Sequence, residues 1–423
     1  MSSRLEIPHL SEEESTFFRT LYKDLHQNPG LSFQESYAAD IAQKLLVEYG
    51  YTVTSKIGGY GLIGVMKRGS GKTILLRADM DGLPVEELTG LPYASQKRQI
   101  DSDGIEKPVM HACGHDVHVA CMLGAAKVLS RSTTQWNGTL VVLFQPSEER
   151  AFGAKAMVDT GLYDPNKIAC PIPDVVLGQH VMPFRAGMVG TCHGVMAASA
   201  DGFDVTVYGR GGHASQPHTT IDPVVLASHI VVRLQTIVSR EAPPSHNVVL
   251  TVGSIDAGLT ENIIAEHATI KLTIRSNDIK TREKVIKAMK RIVQAECAAS
   301  DSPKEPVFRE TTAAPCTVND RAVTTQLEAA FSAAFGEDYI KDAPGLGGSE
   351  DFANLALPIN KPYCYWTLGG IDRAKWDEAE KKGTIQADIP TNHNPFFAPE
   401  VEPTLSSGVR ALVAASISCL GMV

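Results

Sequence analysis

The sequence predicts an α/β protein, a mixed central sheet flanked by helices, with a second α+β unit inserted into it. Three observations carry this. Apolar runs of strand length alternate with segments of helical period in the first part of the chain, and again near its end. Three of those runs stop on side chains of ligand type. Between two small-residue joints the pattern tightens into β-α-β-β-α-β, the split order of a ferredoxin-like unit.

Taken in order, Ser11-x-x-Glu14 is a capping box ahead of Phe17, Phe18, Leu21 and Leu25, and the helix stops at Asn28-Pro29-Gly30. A second helix from Ser36 carries Ala38, Ile41, Ala42, Leu45 and Leu46 on one face and ends at Gly50. Strands follow at Thr52–Lys56, Leu62–Lys67 and Thr73–Ala78, the last running into Asp79-Met80-Asp81. Met110-His111-Ala112-Cys113-Gly114-His115-Asp116-Val117-His118 then opens an apolar helix. A helix start favours negative charge, so the position is expected to lower the Cys113 thiol pKa and make Cys-x-His a pair of ligands for a borderline divalent ion. Alone, the same stretch reads equally as a buried cysteine beside a helix-capping histidine.

Thr139–Phe144 is a buried-strand run ending in Gln145-Pro146-Ser147-Glu148-Glu149. Adjacent glutamates past a strand are expected to point to opposite sides, one to a metal and one to a water on it. Asp174–Gln179 repeats the pattern and ends on His180. The inserted unit runs from about 197 to 315, between the joints Met196-Ala197-Ala198-Ser199-Ala200 and Thr311-Thr312-Ala313-Ala314-Pro315. It contains strands Phe203–Tyr208, Val248–Ile255 and Ala268–Arg275, helices near Thr220–Ser239 and Arg282–Cys297, and a last extended piece near Val307–Glu310. Its Gly209-Arg210-Gly211-Gly212-His213 turn lacks the Gly-Lys-Ser/Thr ending of a phosphate loop and reads better as a glycine turn presenting His213. Segments 1–196 and 316–423 make the two parts of the larger domain; the latter holds helix Arg321–Phe335, the turn through Gly348-Ser349-Glu350-Asp351, a strand near Tyr363–Leu368, and Asn392-His393-Asn394-Pro395 before a final helix.

The 423 residues, 43% of them apolar, can bury a large core. A net charge of -9 without any basic stripe argues against nucleic acid and membrane surfaces as partners. Eight scattered cysteines without CxxC pairs, and an N-terminus lacking an apolar signal core, suit a reducing, cytoplasmic setting. His9, His193, His218, His229, His246 and His267 lack any partner pattern and read as surface or packing residues, and His118 as buried behind His115.

In their order along the chain, His26-Gln27-Asn28-Pro29 with Glu35, Arg77-Ala78-Asp79-Met80-Asp81-Gly82-Leu83-Pro84, His111-Ala112-Cys113-Gly114-His115-Asp116, Gln145 to Glu149, Gly178-Gln179-His180, Gly211 to Ser215, Ser349-Glu350-Asp351-Phe352 and His393-Asn394-Pro395 form one set. It resembles the metallo-amidohydrolases that group aminoacylases, hippurate hydrolases, indole-acetyl-amino-acid hydrolases and related carboxypeptidases, in the branch with a cysteine ligand. That resemblance implies a zinc-exopeptidase-like catalytic domain with an inserted lid and dimerisation domain, hence a homodimer. It implies two divalent ions, zinc or manganese with cobalt possible, held by Cys113, His115, Glu149, His180 and His393, with Cys113 bridging. Asp79 and Asp81, where relatives have His-x-Asp, become hydrogen-bonding supports for the ligands. Glu148 becomes the general base acting on water, and His213 the residue that reaches over the substrate. Asn262 and Arg275 would grip the substrate's α-carboxylate, with Gly348 and Ser349 at the same substrate.

The implied reaction is hydrolysis of the amide of an N-acyl amino acid, a dipeptide being the alternative substrate. A thiol hydrolase using Cys113 with His115 or His118 is a rival that leaves Glu148, Glu149, His180 and His393 without a task; a metal-dependent binding scaffold is another. The chain departs from the family at Arg150-Ala151-Phe152, where relatives carry glycines, which puts charge and bulk beside the metals.

Overall fold

The computed structural model describes residues 7–132 and 136–421. Its main elements are helices α1 (Glu12–Gln27) and α2 (Ser36–Glu48), strands β1 (Thr52–Ile57), β2 (Gly61–Arg68) and β3 (Thr73–Asp79), and helix α3 (His115–Arg131). Strand β4 (Gly138–Gln145), helix α4 (Gly153–Asp159) and strands β5 (Val175–Arg185) and β6 (Val189–Thr191) follow. The next stretch holds β7 (Ser199–Tyr208), α5 (Pro223–Thr236), β8 (Val248–Ala257), β9 (His267–Ser276), α6 (Ile279–Ala299) and β10 (Val307–Ala314). The chain closes with α7 (Arg321–Phe335), β11 (Tyr339–Lys341), β12 (Tyr363–Ile371) and α8 (Thr404–Leu420).

The chain divides into two compact units. The first, residues 1–196, 318–346 and 351–423, is built on an eight-stranded sheet in the order β1-β2-β4-β3-β5-β12-β6-β11. Its centre is parallel: β3 pairs in parallel with β4 and β5, and β5 with β12, so their carboxyl ends share one edge. Asp79 ends β3 and Gln145 ends β4 at that edge, where open α/β sheets place their sites. The Ser11–Glu14 capping box is formed in full at α1. Helix α3 is buried along nearly its whole length, against β3, β5 and α8. Two glycines allow the α3–α8 approach: a Cβ on Gly124 would lie 2.7 Å from Val409, and one on Gly408 2.5 Å from Cys121. Among the described residues no helix is long and apolar enough to cross a membrane.

The second unit, residues 197–317 and 347–350, has a four-stranded antiparallel sheet in the order β8-β9-β7-β10 with α5 and α6 packed over it. That is the order expected of β-α-β-β-α-β. The joints are not loops, however. Ser199 and Ala200 begin β7, paired with Ser276 and Arg275, while residues 311–314 complete β10, with Ala314 opposite Ala200. Small side chains here serve close strand packing rather than flexibility, and Ala200 and Ala314 are buried. Residues 347–350, read from sequence as part of the last catalytic segment, cluster with this unit.

Close packing at the sheet centre yields a stability prediction. A Cβ on Gly178 of β5 would sit 2.6 Å from the Tyr365 ring and 3.0 Å from Phe352, both held in the core. Gly178→Ala should lower the unfolding free energy of the first unit by about 1–3 kcal/mol through overpacking. Urea titration followed by tryptophan fluorescence reads this directly, because all three tryptophans, Trp136, Trp366 and Trp376, lie in that unit.

Candidate metal centre

The Cys113-Gly114-His115 spacing works through its glycine. Gly114 caps α3 at φ 80°, and a Cβ there would lie 2.4 Å from Val181, so only glycine makes the turn. The turn brings Cys113 and His115 together, and β5 delivers His180 with its Nε2 3.5 Å from the Cys113 sulfur. Donor atoms of Cys113, His115 and His180 lie within 4.8 Å of one another, as do those of Cys113, Glu149 and His393. The sulfur is common to both triads. Glu149 Oε2 is 3.3 Å from His393 Nε2, and its Oε1 is 3.8 Å from His115 Nε2.

His393 stands at φ 69°. Its backbone N–H donates to the Ala112 carbonyl at 2.8 Å, and the neighbouring Asn392 amide donates to the carbonyls of Cys113 and Val181 at 3.1 Å each. The ligand-type side chains from α3, β5 and the C-terminal segment are thereby tied together through backbone.

Hydrogen bonds fix the imidazoles. His180 Nδ1 donates to the Val181 carbonyl at 2.8 Å, and His115 Nδ1 faces Asp81 Oδ1 at 3.2 Å, which leaves both Nε2 atoms turned toward the cluster. Among the described residues, His115 Nε2 and Glu149 Oε1 are buried without any hydrogen-bond partner. A buried unpaired polar atom costs roughly 1–3 kcal/mol, so two facing each other beside a thiol and two more imidazoles form a donor set that suits a divalent ion.

Supporting residues lie immediately behind. Asp79 takes a hydrogen bond from Arg77 at 2.6 Å and another from His118 Nδ1, while His118 Nε2 accepts the Val181 N–H at 2.8 Å. His118 is buried, as expected from sequence, and locks α3 to β5. Asp81 spends both oxygens on the paired-glutamate turn: Oδ1 accepts from Glu148 N at 3.1 Å and Oδ2 from Glu149 N at 3.0 Å. Glu35 Oε1 accepts from Ser147 N at 2.8 Å and from Phe33 N at 2.7 Å, and both donors have left-handed backbones, at φ 50° and 64°. Asp351 accepts from Gln145 and from Ala154 N at 2.7 and 3.0 Å, fixing the far end of the turn.

Two expectations are corrected here. Glu148 and Glu149 do not diverge: both carboxylates approach His115 Nε2, at 3.9 and 3.8 Å, because the left-handed Ser147 ends the strand alternation before them. Nor is the Cys113 thiol acidified. Burial, followed by the charges of Glu149, Glu148 and Asp79, pushes its pKa well up and outweighs the helix start. The same carboxylates act oppositely on His115: burial alone would depress it, but Asp79, Asp81 and Glu149 hold it up at about 10. His180 is driven well down by burial and by His118.

In the second unit, His213 lies exposed on a two-residue strand paired with Ile263 and Ile264. Its Nδ1 accepts the Ser215 N–H at 3.1 Å, which leaves the proton of the neutral ring on Nε2. The Asn262 carbonyl accepts from Ala214 N at 3.1 Å, so His213 and Asn262 share one loop pair. Arg275 is exposed on β9 and has no ion pair among the described residues. The Gly348 carbonyl accepts from Ala198 N at 3.1 Å, and Ser349 follows it, half-buried.

Arg77, Glu35, Asp351 and His26 carry supporting contacts that sequence reasoning quoted only as parts of motifs. The available signal was a charge inside an apolar pattern, as with Arg77 in Thr73–Ala78, which is fully buried.

The sequence profile of peptidase family M20/M25/M40 matches residues 75–414. The hippurate hydrolase of Campylobacter jejuni is 40% identical over 354 residues, 82% of this chain and 86% of that protein. An N-acetyl-L-cysteine deacetylase of Bacillus subtilis is 37% identical over 351 residues, 82% of this chain and 79% of its own. Among solved structures, the YXEP protein of Bacillus subtilis, described as a dinuclear metal binding peptidase from the M20 family, superposes with a TM-score of 0.74 at 25% identity, covering 98% of this chain and 100% of that one.

His26 supplies a pH prediction. Burial disfavours its charged form, but bonds to Asp116 at 2.6 Å and Glu87 at 3.0 Å outweigh burial and hold its pKa at about 10. A pKa raised on folding stabilises fully below the unfolded value near 6.5, and that contribution disappears as pH climbs through about 10. Stability should therefore decline between these limits, and His26→Gln should flatten that alkaline limb in urea titrations run at successive pH values.

Proposed function

The chain belongs to peptidase family M20/M25/M40, and on that footing we propose that it is a metal-dependent amidohydrolase cleaving the amide bond of N-acyl amino acids. The observation that carries this reading is the convergence of two donor triads on the one sulfur of Cys113, with Glu148 beside them. Cys113, His115 and His180 would hold one divalent ion and Cys113, Glu149 and His393 a second, zinc or manganese, with cobalt also able to fit; the sulfur favours zinc. When bound, such ions make water nucleophilic near neutral pH and polarise an amide carbonyl.

The chain's own residues do the rest. Glu148, buried and anchored through its N–H to Asp81, takes the proton of the attacking water and returns it to the leaving nitrogen. His213 offers an Nε2–H to the developing oxyanion, a contribution of roughly 3–4 kcal/mol for a well-placed donor. Arg275 and Asn262 grip the carboxylate of the amino-acid half, the guanidinium by two parallel hydrogen bonds that lysine could not reproduce, with Gly348 and Ser349 at the same end. Asp79 and Asp81 keep His118, His115 and the glutamate turn in place. The second unit also offers a dimer surface: β8 is an edge strand with Val249 and Ile255 exposed, and α5 exposes Val225 and Val232, which together support a homodimer formed through this unit. Nucleophilic use of Cys113 would leave Glu148, Glu149, His180 and His393 without a task.

Glu148→Gln should retain its metal content and lose about 10²–10⁴-fold in kcat on N-acyl amino acids. Elemental analysis beside the kinetics separates this from Cys113→Ala, which should lose activity together with metal. A fully active Glu148→Gln would remove that residue from the role of base. Turnover surviving exhaustive chelation would remove the ions.

A further inference from the structure

A hollow of about 560 Å³ adjoins the cluster, wholly within the first unit, and none of the chemistry above uses it. Its lining includes Glu149 and Arg150 together with Leu31, Phe33, Leu83 and Pro84. The volume lies in the roughly 300–1,000 Å³ range of small-molecule sites, and Glu149 makes it continuous with the donor triads.

Three features define what it would accept. Phe33 is a bulky residue in a left-handed backbone, a conformation that persists only where the surroundings enforce it. Here Glu35 enforces it through the Phe33 N–H, and the residue stays 37% exposed on the hollow instead of joining the core. Arg150 is exposed and has no ion pair among the described residues. Asp101 also lines the hollow, with one oxygen engaged by the N–H groups of Asp103 and Ile105 at 2.9 Å each. Arg150 is set against two carboxylates, those of Asp101 and Glu149, so the lining gives an anionic guest no advantage, whereas an aromatic ring and a guanidinium both favour a flat π-face.

Resting on the amidohydrolase reading, we propose that this hollow seats the acyl half of the substrate and selects a neutral aromatic acyl group through Phe33 and Arg150. Glu149 both lines the hollow and belongs to the donor triads, so a group seated there lies beside the cluster. An acetyl methyl would leave most of the hollow to water and the Phe33 ring uncovered.

The test compares kcat/KM for N-benzoyl, N-acetyl and N-succinyl derivatives of one amino acid, using zinc-loaded wild type, Phe33→Ala and Arg150→Met, and measures benzoate and acetate binding by calorimetry. Benzoyl should be preferred to acetyl by about tenfold or more, and that ratio should fall about fivefold in each variant, as expected for losing one aromatic or cation–π contact. Benzoate should bind more tightly than acetate, with the preference reduced in Phe33→Ala. Arg150 is exposed, so Arg150→Met keeps the test open if Phe33→Ala folds poorly. Turnover with an unchanged benzoyl-to-acetyl ratio in both variants, or with succinyl preferred, overturns the acyl assignment alone. Absence of turnover on every amide overturns the amidohydrolase reading and the acyl assignment with it.

Discussion

Four carboxylates meet one imidazole, and the rest of the molecule is arranged to make that tolerable. Asp81, Asp79, Glu149 and Glu148 all stand between 3.2 and 3.9 Å from His115 nitrogens, inside a protein core. Isolated buried anions are unstable by many kcal/mol unless paired or neutralised. Arg77 neutralises part of that charge, reaching Asp79 and Asp351 from the centre of β3. The remainder calls for positive charge at the place where Cys113, His180 and His393 also point. A proton on His115 is one answer and divalent ions would be a better one, since ions would also engage His115 Nε2 and Glu149 Oε1, which have no hydrogen-bond partner among the described residues.

The scaffold supplies rigidity where it matters. Parallel strands β3, β4 and β5 bring Asp79, the glutamate turn and His180 to one edge, and α3 presents its start to the same edge because its sides are buried against the sheet and α8. Side chains then knit these ends together: His118 joins α3 to β5, Asn392 joins the C-terminal segment to both, and Asp81 carries the turn after β4. Such a network holds donors within hydrogen-bonding tolerance of one another before any ligand arrives, the precondition for strong electrostatic effects.

Much of this was legible from residue order. Strand runs that terminate on Asp79 or His180 stand out because polar ligand types rarely follow buried runs by chance, and Cys113-Gly114-His115 announces its turn through glycine. The β-α-β-β-α-β order of the inserted unit was equally plain. What could not be read was decided by three-dimensional crowding. Ser147 takes a left-handed conformation that no local signal announces, and it reverses the expected divergence of Glu148 and Glu149. The thiol of Cys113 answers to carboxylates delivered by β3 and by the turn after β4 rather than to its own helix. Residues around Ser199 and Thr312 look like joints because small side chains suit both loops and tightly paired strands, and only the strand pairing distinguishes them.

Glu35 grips two left-handed residues with a single oxygen, one on the wall of the hollow and the other immediately before Glu148. Reshaping the backbone at Phe33 therefore disturbs the turn that carries Glu148, whereas exchanging side chains at Leu83 or Arg150 does not pull on that clasp. Variation in what the wall of the hollow presents is thereby channelled toward side-chain identity, because an insertion or deletion near Glu35 would shift the backbone immediately before Glu148.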